Sequence, residues 1–382
     1  MTSPTLARVE AHVFRTPIKD PVRTSFGTMT ERAAVFVRVE DSDGAHGWGE
    51  VWCNFPNPSA EYRARLFTEI VASRALGKTL DDPGALWNEI DRALHVLRIQ
   101  SGDAGGFSSA AAGLDMAIHD LRARRLGRPL WQALGGVDGS PVPVYASGIN
   151  PGARAVDTVE RMRAAGYRAF KIKVGFGEAT DLASLRPAVA NLKLGERLMV
   201  DANQAWDLAM AKAIMPKLAG FNLSWIEEPL MADRPATEWA ELAAVAPTQL
   251  AAGENMRGAR QFQEAIDSGL FGILQPDLAK WGGHSGCLPV AKAALAAGRS
   301  LCPHYLGGAL GLMHSLHLLA AVRGPGMLEV DANANPLREG LLQNHFTVSR
   351  GAVSLPAGPG LGLEPDLKEL ASLRSLHLER RA

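Results

Sequence analysis

Cysteine is scarce in this chain, and any imbalance of charge is absent. Only three cysteines occur in 382 residues, Cys53, Cys287 and Cys302, odd in number and far apart. That spacing builds neither a disulfide framework nor a cysteine metal site, so they read as reduced thiols of a cytoplasmic protein. Lys+Arg and Asp+Glu number 40 each. A chain without net charge lacks the electrostatic footprint of a partner for nucleic acid or an anionic membrane. The first residues show no apolar signal-peptide region, and no apolar run reaches the roughly 18 residues that cross a bilayer. Low-complexity segments are missing too. What is present is an ordinary globular composition, 47% hydrophobic and 21% charged, long enough to bury a large core in one big domain or two.

Periodicity divides the chain. Residues 5–50 alternate apolar and polar, with Asp43-Gly44 as a hairpin turn. From Glu61 to about Leu126 the period becomes helical, and "SAAAGLDMAIHDLRARRLG" predicts a helix closed at Gly127. This first third is a small α+β unit. Short apolar strands then alternate with amphipathic helices, from "PVPVYASG" through "RAFKIKVG" and "ERLMVDANQ" to "GMLEVDANAN". Repeated βα units predict a parallel sheet. The Gly- and Pro-rich remainder is expected to wrap back onto the first unit.

The apolar runs end on polar residues: Lys171 with Lys173, Asp201, Glu227, Glu254, Asp277, His304 and Glu329. From Lys173 onward they are separated by 28, 26, 27, 23, 27 and 25 residues. That is about the length of one βα unit in an eightfold barrel, whose active sites lie at the C-terminal ends of the strands. Lys171 and Lys173, two apart on a strand, share a face. Asp201, Glu227 and Glu254 come from neighbouring strands. Three clustered carboxylates repel one another, and a hard divalent cation such as Mg²⁺ resolves that repulsion. Glu228, beside Glu227 and before Pro229, reads instead as a cap or surface acid. Asp277 and His304 sit on adjacent strands, where a carboxylate can fix the histidine tautomer and raise its basicity. The other histidines read as structural.

With "KIK" at 171–173, "DAN" at 201–203, "WIEEP" at 225–229, "GEN" at 253–255, "QPD" at 275–277, "PH" at 303–304 and "LEVD" at 328–331, the chain resembles the enolase superfamily, and within it the mandelate racemase subgroup. The resemblance covers nearly the whole length. It implies an α/β fold: a capping α+β domain over 1–135, a TIM-type (β/α)₇β barrel over 136–340, and a segment over 341–382 that returns to the cap. Asp277 stands where the muconate lactonizing subgroup carries a lysine base, and Lys280 is similar to a second lysine of both subgroups.

The resemblance implies Mg²⁺ on Asp201, Glu227 and Glu254, and removal of a proton α to a carboxylate. Lys171 would sit beside that carboxylate. Lys173 would be one base, its pKa pushed toward neutrality by its cationic neighbours, and His304 with Asp277 the other. A protonated Glu329 would donate to the enolate oxygen. Asn203 of the "DAN" motif is a candidate substrate contact. Substrate choice falls to two stretches of the cap, 20–32 with Arg23, Thr24, Ser25 and Thr28, and 52–63 with Trp52 and Phe55. The polar first stretch suits a polyhydroxylated acid, whereas Trp52 and Phe55 pull the other way, toward an apolar wall. The resemblance implies dehydration of an acid sugar as the commoner activity. A racemase or epimerase is the alternative, and a non-catalytic carboxylate-binding protein another. Relatives imply a homo-oligomer, dimer or octamer.

Overall fold

Three antiparallel strands open the chain: β1 (Leu6–Thr24), β2 (Gly27–Asp41) and β3 (His46–Val51). They come from a computed structural model that describes residues 3–152, 154–343 and 345–382. The β2–β3 turn holds the expected Gly44 at φ 87°, while Asp41 Oδ1 accepts from the backbone N–H of Asp43 and Ala45. The stretch 20–32 is not the irregular loop its polar composition predicts. β1 and β2 continue through it as a hairpin arm, pairing Val22 with Met29 and Thr24 with Gly27. Backbone pairing holds the arm together, and Val22 and Met29 are its buried apolar side chains.

Helices α1 (Ser59–Arg65), α2 (Pro83–Ser101), α3 (Ala104–Arg125) and α4 (Leu130–Ala133) follow. Asp82 caps α2 through Ala85 N–H, Pro83 opens it, and Gly102 ends it at φ 67°. α3 is buried along nearly its whole length. It can lie against β3 because of Gly47 and Gly49, where a Cβ would come within 2.2 Å of Leu121 N and 2.3 Å of Gly113 O. Asp115 of α3 accepts from the backbone N–H of His284 and Ser285 at 2.7 and 2.9 Å, which ties the cap to the second unit.

That unit runs β4 (Val142–Ile149), α5 (Ala155–Ala164), β5 (Ala169–Lys173), α6 (Glu178–Ala190), β6 (Arg197–Asp201), α7 (Leu208–Leu218), β7 (Ile226–Glu227), α8 (Ala236–Ala243) and β8 (Leu250–Ala252). It continues α9 (Ala259–Ser268), β9 (Phe271–Leu274), α10 (Gly283–Ala296), β10 (Ser300–Leu301), α11 (Ala309–Val322) and β11 (Leu328–Asp331), followed by the short α12 (Pro336–Leu342). β4 to β10 form one parallel series, and β11 pairs parallel with β4. A parallel bridge between Leu301 and Gly326 completes the circle. The C-terminal segment first adds β12 (Val348–Ser349) and β13 (Ala352–Val353) beside β4. It then returns as β14 (Arg374–Arg381), pairing with β1. No helix among the described residues is long and apolar enough to cross a membrane.

The barrel interior is layered. Tyr145, Ala169, Met199, Trp225, Ala251, Ile273, Cys302 and Met327, one from each strand or its flank, form a closed apolar cluster. Two positions further along lie Ser147, Lys171, Asp201, Glu227, Gly253, Gln275, His304 and Glu329. Side chains two apart share a face of a strand, so an apolar floor is followed directly by a polar layer.

Candidate active site

The polar layer is a network of buried charges. Lys171 is 1% exposed, with Nζ 2.5 Å from Glu227 Oε1, 2.7 Å from Glu329 Oε1 and 3.9 Å from Asp201 Oδ2. It also lies 5.4 Å from the centre of the Tyr145 ring in the floor below. Lys173 Nζ is 2.6 Å from Asp201 Oδ2 and donates to Asn203 Oδ1. Burial by itself would lower both lysines. Glu227 and Glu329 nevertheless hold Lys171 well above the ordinary lysine range. Asp201 raises Lys173 in spite of repulsion from Lys171. Asp201, which touches the ammonium group directly, thus opposes the fall toward neutrality that the resemblance implies.

Glu329 also departs from expectation. Burial would favour its protonated form, but Lys171 and His304 outweigh burial and lower its pKa. It accepts hydrogen bonds from Ser147 Oγ at 2.5 Å and Tyr305 N–H at 2.9 Å.

Asp277 Oδ2 and His304 Nδ1 are 2.7 Å apart, the predicted pair. The other oxygen of Asp277 accepts from the backbone N–H of Ala279 and Lys280, which fixes the carboxylate and through it the ring. His304 Nε2 faces Glu254 Oε2 at 3.1 Å. Burial would lower His304, but Glu254, Glu329 and Asp277 raise it. Burial would raise Glu254, but His304, Lys280 and Lys173 hold it well below the usual carboxylate range. Glu227 goes the other way: burial lifts it to about 7, against the pull of Lys171 and with repulsion from Asp201.

Glu254 follows Gly253, which stands at φ 145° with its Cα so close to β9 that a Cβ would lie 2.7 Å from Gln275 N. Only glycine fits there, and Glu254 reaches the site one residue later than its strand neighbours.

Glu228 is the acid that sequence reasoning placed wrongly. It is fully buried, not a cap or surface group, and both its oxygens accept from Asn255 Nδ2 at 3.0 Å. Burial, together with Glu254 and Asp201, pushes its pKa well up. Asp201, Glu227, Glu228 and Glu254 are all buried near one another, beside Lys171, Lys173, Lys280 and His304. Their oxygen-only chemistry suits a hard divalent ion rather than a soft one.

A cavity of about 270 Å³ opens above this layer. Lys173, Glu254 and His304 line it, with Asn203, Thr24, Trp52 and Phe55 from the predicted contacts. Arg23 and Ser25 do not line it. Arg23 is exposed, and its backbone N–H donates to Asn150 Oδ1 at 3.0 Å; Ser25 Oγ donates to Asn203 O at 2.6 Å. Both tie the hairpin arm to the barrel. Phe26, Asn54, Asn255 and Leu306 also line the cavity and were not anticipated. The one signal for Phe26 was an isolated aromatic in a polar stretch.

Glu50 at the end of β3 joins cap to barrel, accepting from Gly308 and Gly311 N–H at 2.6 and 3.0 Å at the start of α11. Burial pushes it up to about 7 although those two donors pull it down. A larger hollow of about 490 Å³ lies at the opposite ends of β8 to β10, lined by Gln249, Arg299 and Ser300, and holds none of the clustered carboxylates.

Residues 8–135 match the model of the mandelate racemase / muconate lactonizing enzyme N-terminal domain, and residues 154–370 match the enolase C-terminal domain-like model. The chain belongs to the mandelate racemase/muconate lactonizing enzyme family. Among solved structures of this family, a mandelate racemase/muconate lactonizing enzyme from Bordetella bronchiseptica is 49% identical. It covers 97% of this chain and 100% of its own, with a TM-score of 0.90. The 3,6-anhydro-alpha-L-galactonate cycloisomerase of Streptomyces coelicolor is 32% identical over 96% of this chain and 99% of its own. An L-talarate/galactarate dehydratase from Salmonella typhimurium, crystallised with Mg and L-lyxarohydroxamate, is 26% identical. It covers 100% of this chain and 95% of its own, with a TM-score of 0.87.

Proposed function

We propose that the protein removes the α-proton of a hydroxy-carboxylate in a Mg²⁺-dependent reaction and then eliminates water, giving a 2-keto-3-deoxy acid. The observation that carries this reading is that Lys173 and His304, two groups able to move a proton, line one cavity beside a buried oxygen-only donor set. Asp201, Glu227 and Glu254 would hold the ion. When bound, Mg²⁺ supplies a fixed divalent charge beside the substrate carboxylate and the enediolate derived from it.

Lys173 acts as a base only as the free amine, so its bond to Asp201 must be exchanged when that carboxylate takes another cation. Its nitrogen then accepts the α-proton, and the C–H electron pair moves into the enediolate. Lys171 stays charged, held by Glu227 and Glu329, and offers a fixed positive charge for the second negative charge of the intermediate. Protonated His304, held by Asp277, gives its proton to the 3-hydroxyl, which leaves as water. The resulting enol tautomerises to the keto acid.

The same two groups support the racemase reading if His304 returns its proton to the α-carbon instead. Proton NMR in D₂O with Mg²⁺ and a panel of 2-hydroxy and sugar acids separates the readings. A 3-deoxy-2-keto product is the expected result. Deuterium at the α-carbon with the 3-hydroxyl retained would replace elimination with racemisation or epimerisation. No exchange with any acid would leave a binding protein.

A further inference from the structure

The two ends of the cavity differ in charge. At its floor every cation has an acidic partner: Lys173 with Asp201, Lys280 with Glu254 at 3.3 Å, and His304 with Asp277. The cap side, with the loop after β10, forms a roof of Phe26, Trp52, Phe55 and Leu306, joined by the uncharged polar Thr24 and Asn54. Phe26 meets Phe55 edge-on at 5.1 Å between ring centres, which joins the hairpin arm to the second cap loop.

The cations near this roof are held by partners: Lys280 Nζ lies 4.8 Å from the Trp52 ring centre and donates to Glu254 Oε1 and Asn255 Oδ1, each at 3.3 Å. Arg63 stacks 4.7 Å from the Trp52 ring centre and donates to the carbonyls of Trp52 and Phe55, so it holds the loop from behind. Arg23 is exposed and does not line the cavity. Among the described residues no arginine lines it, and the lining lysines, Lys173 and Lys280, each pair with a carboxylate.

A second carboxylate on a substrate would therefore end against aromatic faces, whose π-clouds are negative, with no unpaired cation to replace its water. A C–H surface of a polyol chain or ring packs there at no such cost.

We propose that the substrate is a monocarboxylate. Its acid group enters the charged floor, and its uncharged distal end packs under Phe26, Trp52 and Phe55; dicarboxylates are rejected. This inference rests on the function proposed above and names its substrate class.

The test uses matched pairs that differ only at the far carbon, gluconate against glucarate and galactonate against galactarate. Binding is followed by titration calorimetry with Mg²⁺ present, and α-proton exchange by NMR. For the best pair the monoacid should bind about 100-fold more tightly, as expected for an acid buried without a partner. Phe26 is 59% exposed, so Phe26→Arg can be accommodated, and it should narrow that ratio at least about tenfold by supplying the missing charge. A wild-type protein that binds and exchanges both acids of a pair equally overturns the inference and leaves the proton chemistry standing. Failure of exchange with monoacids and diacids alike overturns the proposed function, and the inference with it.

Discussion

Two layers of one barrel, a single pleat apart, follow opposite rules. The floor of Tyr145, Met199, Trp225 and Ile273 excludes water and carries no charge. The next layer sets Lys171, Asp201, Glu227 and Glu329 among Ser147, Gly253 and Gln275, and is equally dry although it carries charges. An apolar layer is stabilised by burial itself. A buried ionic layer is stabilised only while each charge keeps its partner, because stranding one of them is costly. The floor should therefore tolerate changes of shape, and the layer above it should tolerate almost no change of charge. A few contacts join them: Trp225 Nε1 donates to Glu227 Oε2 at 3.2 Å, and Lys171 sits above Tyr145.

The contrast can be broken most severely at the cavity surface. Lys173→Ala should reduce α-proton exchange of one configuration by about 10³-fold or more, within the range for loss of a general base. The fold should survive, since Asp201 still accepts from Asn203 N–H; circular dichroism and NMR exchange rates together check this. Full activity in the variant would remove Lys173 from the mechanism.

Next is Lys171→Met, which keeps the volume and strands Glu227 and Glu329. A loss of about 3–5 kcal/mol in urea unfolding is expected. A loss below about 1 kcal/mol would mean that the two acids find other partners. Asp277→Asn should cost about 100-fold in reactions that need His304, by releasing the ring orientation, with Mg²⁺ affinity unchanged. Equal loss of metal affinity would show that the pair supports the carboxylates instead.

A smaller effect is linked to pH. Glu227, lifted to about 7, must give up its proton to hold a cation. Mg²⁺ affinity should thus rise about tenfold per pH unit below 7 and level off above it. Calorimetry in buffers of different ionisation enthalpy reads the released proton, and a flat profile would show Glu227 already ionised. The smallest effect belongs to the floor. Met199→Leu, one layer below Asp201, should cost less than about 1.5 kcal/mol and leave exchange within a few-fold of wild type. A collapse of activity there would show that the layers are mechanically coupled.

Most of the ionic layer is legible in the amino-acid sequence. Strand periodicity of two and a βα repeat of nearly constant length put Lys171, Asp201, Glu227, Asp277, His304 and Glu329 in phase, and a helix cannot fake that register. Glu228 is not legible in this way. Next to Glu227 it should face the opposite way on a regular strand, but the backbone leaves the strand there at φ 37° and turns it into the site. The protonation states of Lys173 and Glu329 escape sequence reasoning for a related reason. Charge type can be read from the letter, whereas the sign of a pKa shift depends on how closely each partner approaches.

The cap shows the same division. Alternation alone locates its strands, and the Asp-Gly pair its turn. The arm of 20–32, by contrast, reads as a polar lid, and only folding turns Arg23 outward and sets Phe26 over the cavity. By itself the sequence determined the barrel, the order of its strands and the chemical identity of the groups at their ends, because those follow from local periodicity. Tertiary structure alone decided which ions pair, which way the arm's side chains point and that Phe26 joins Trp52 and Phe55 over the cavity, because those depend on distances between segments far apart in the chain.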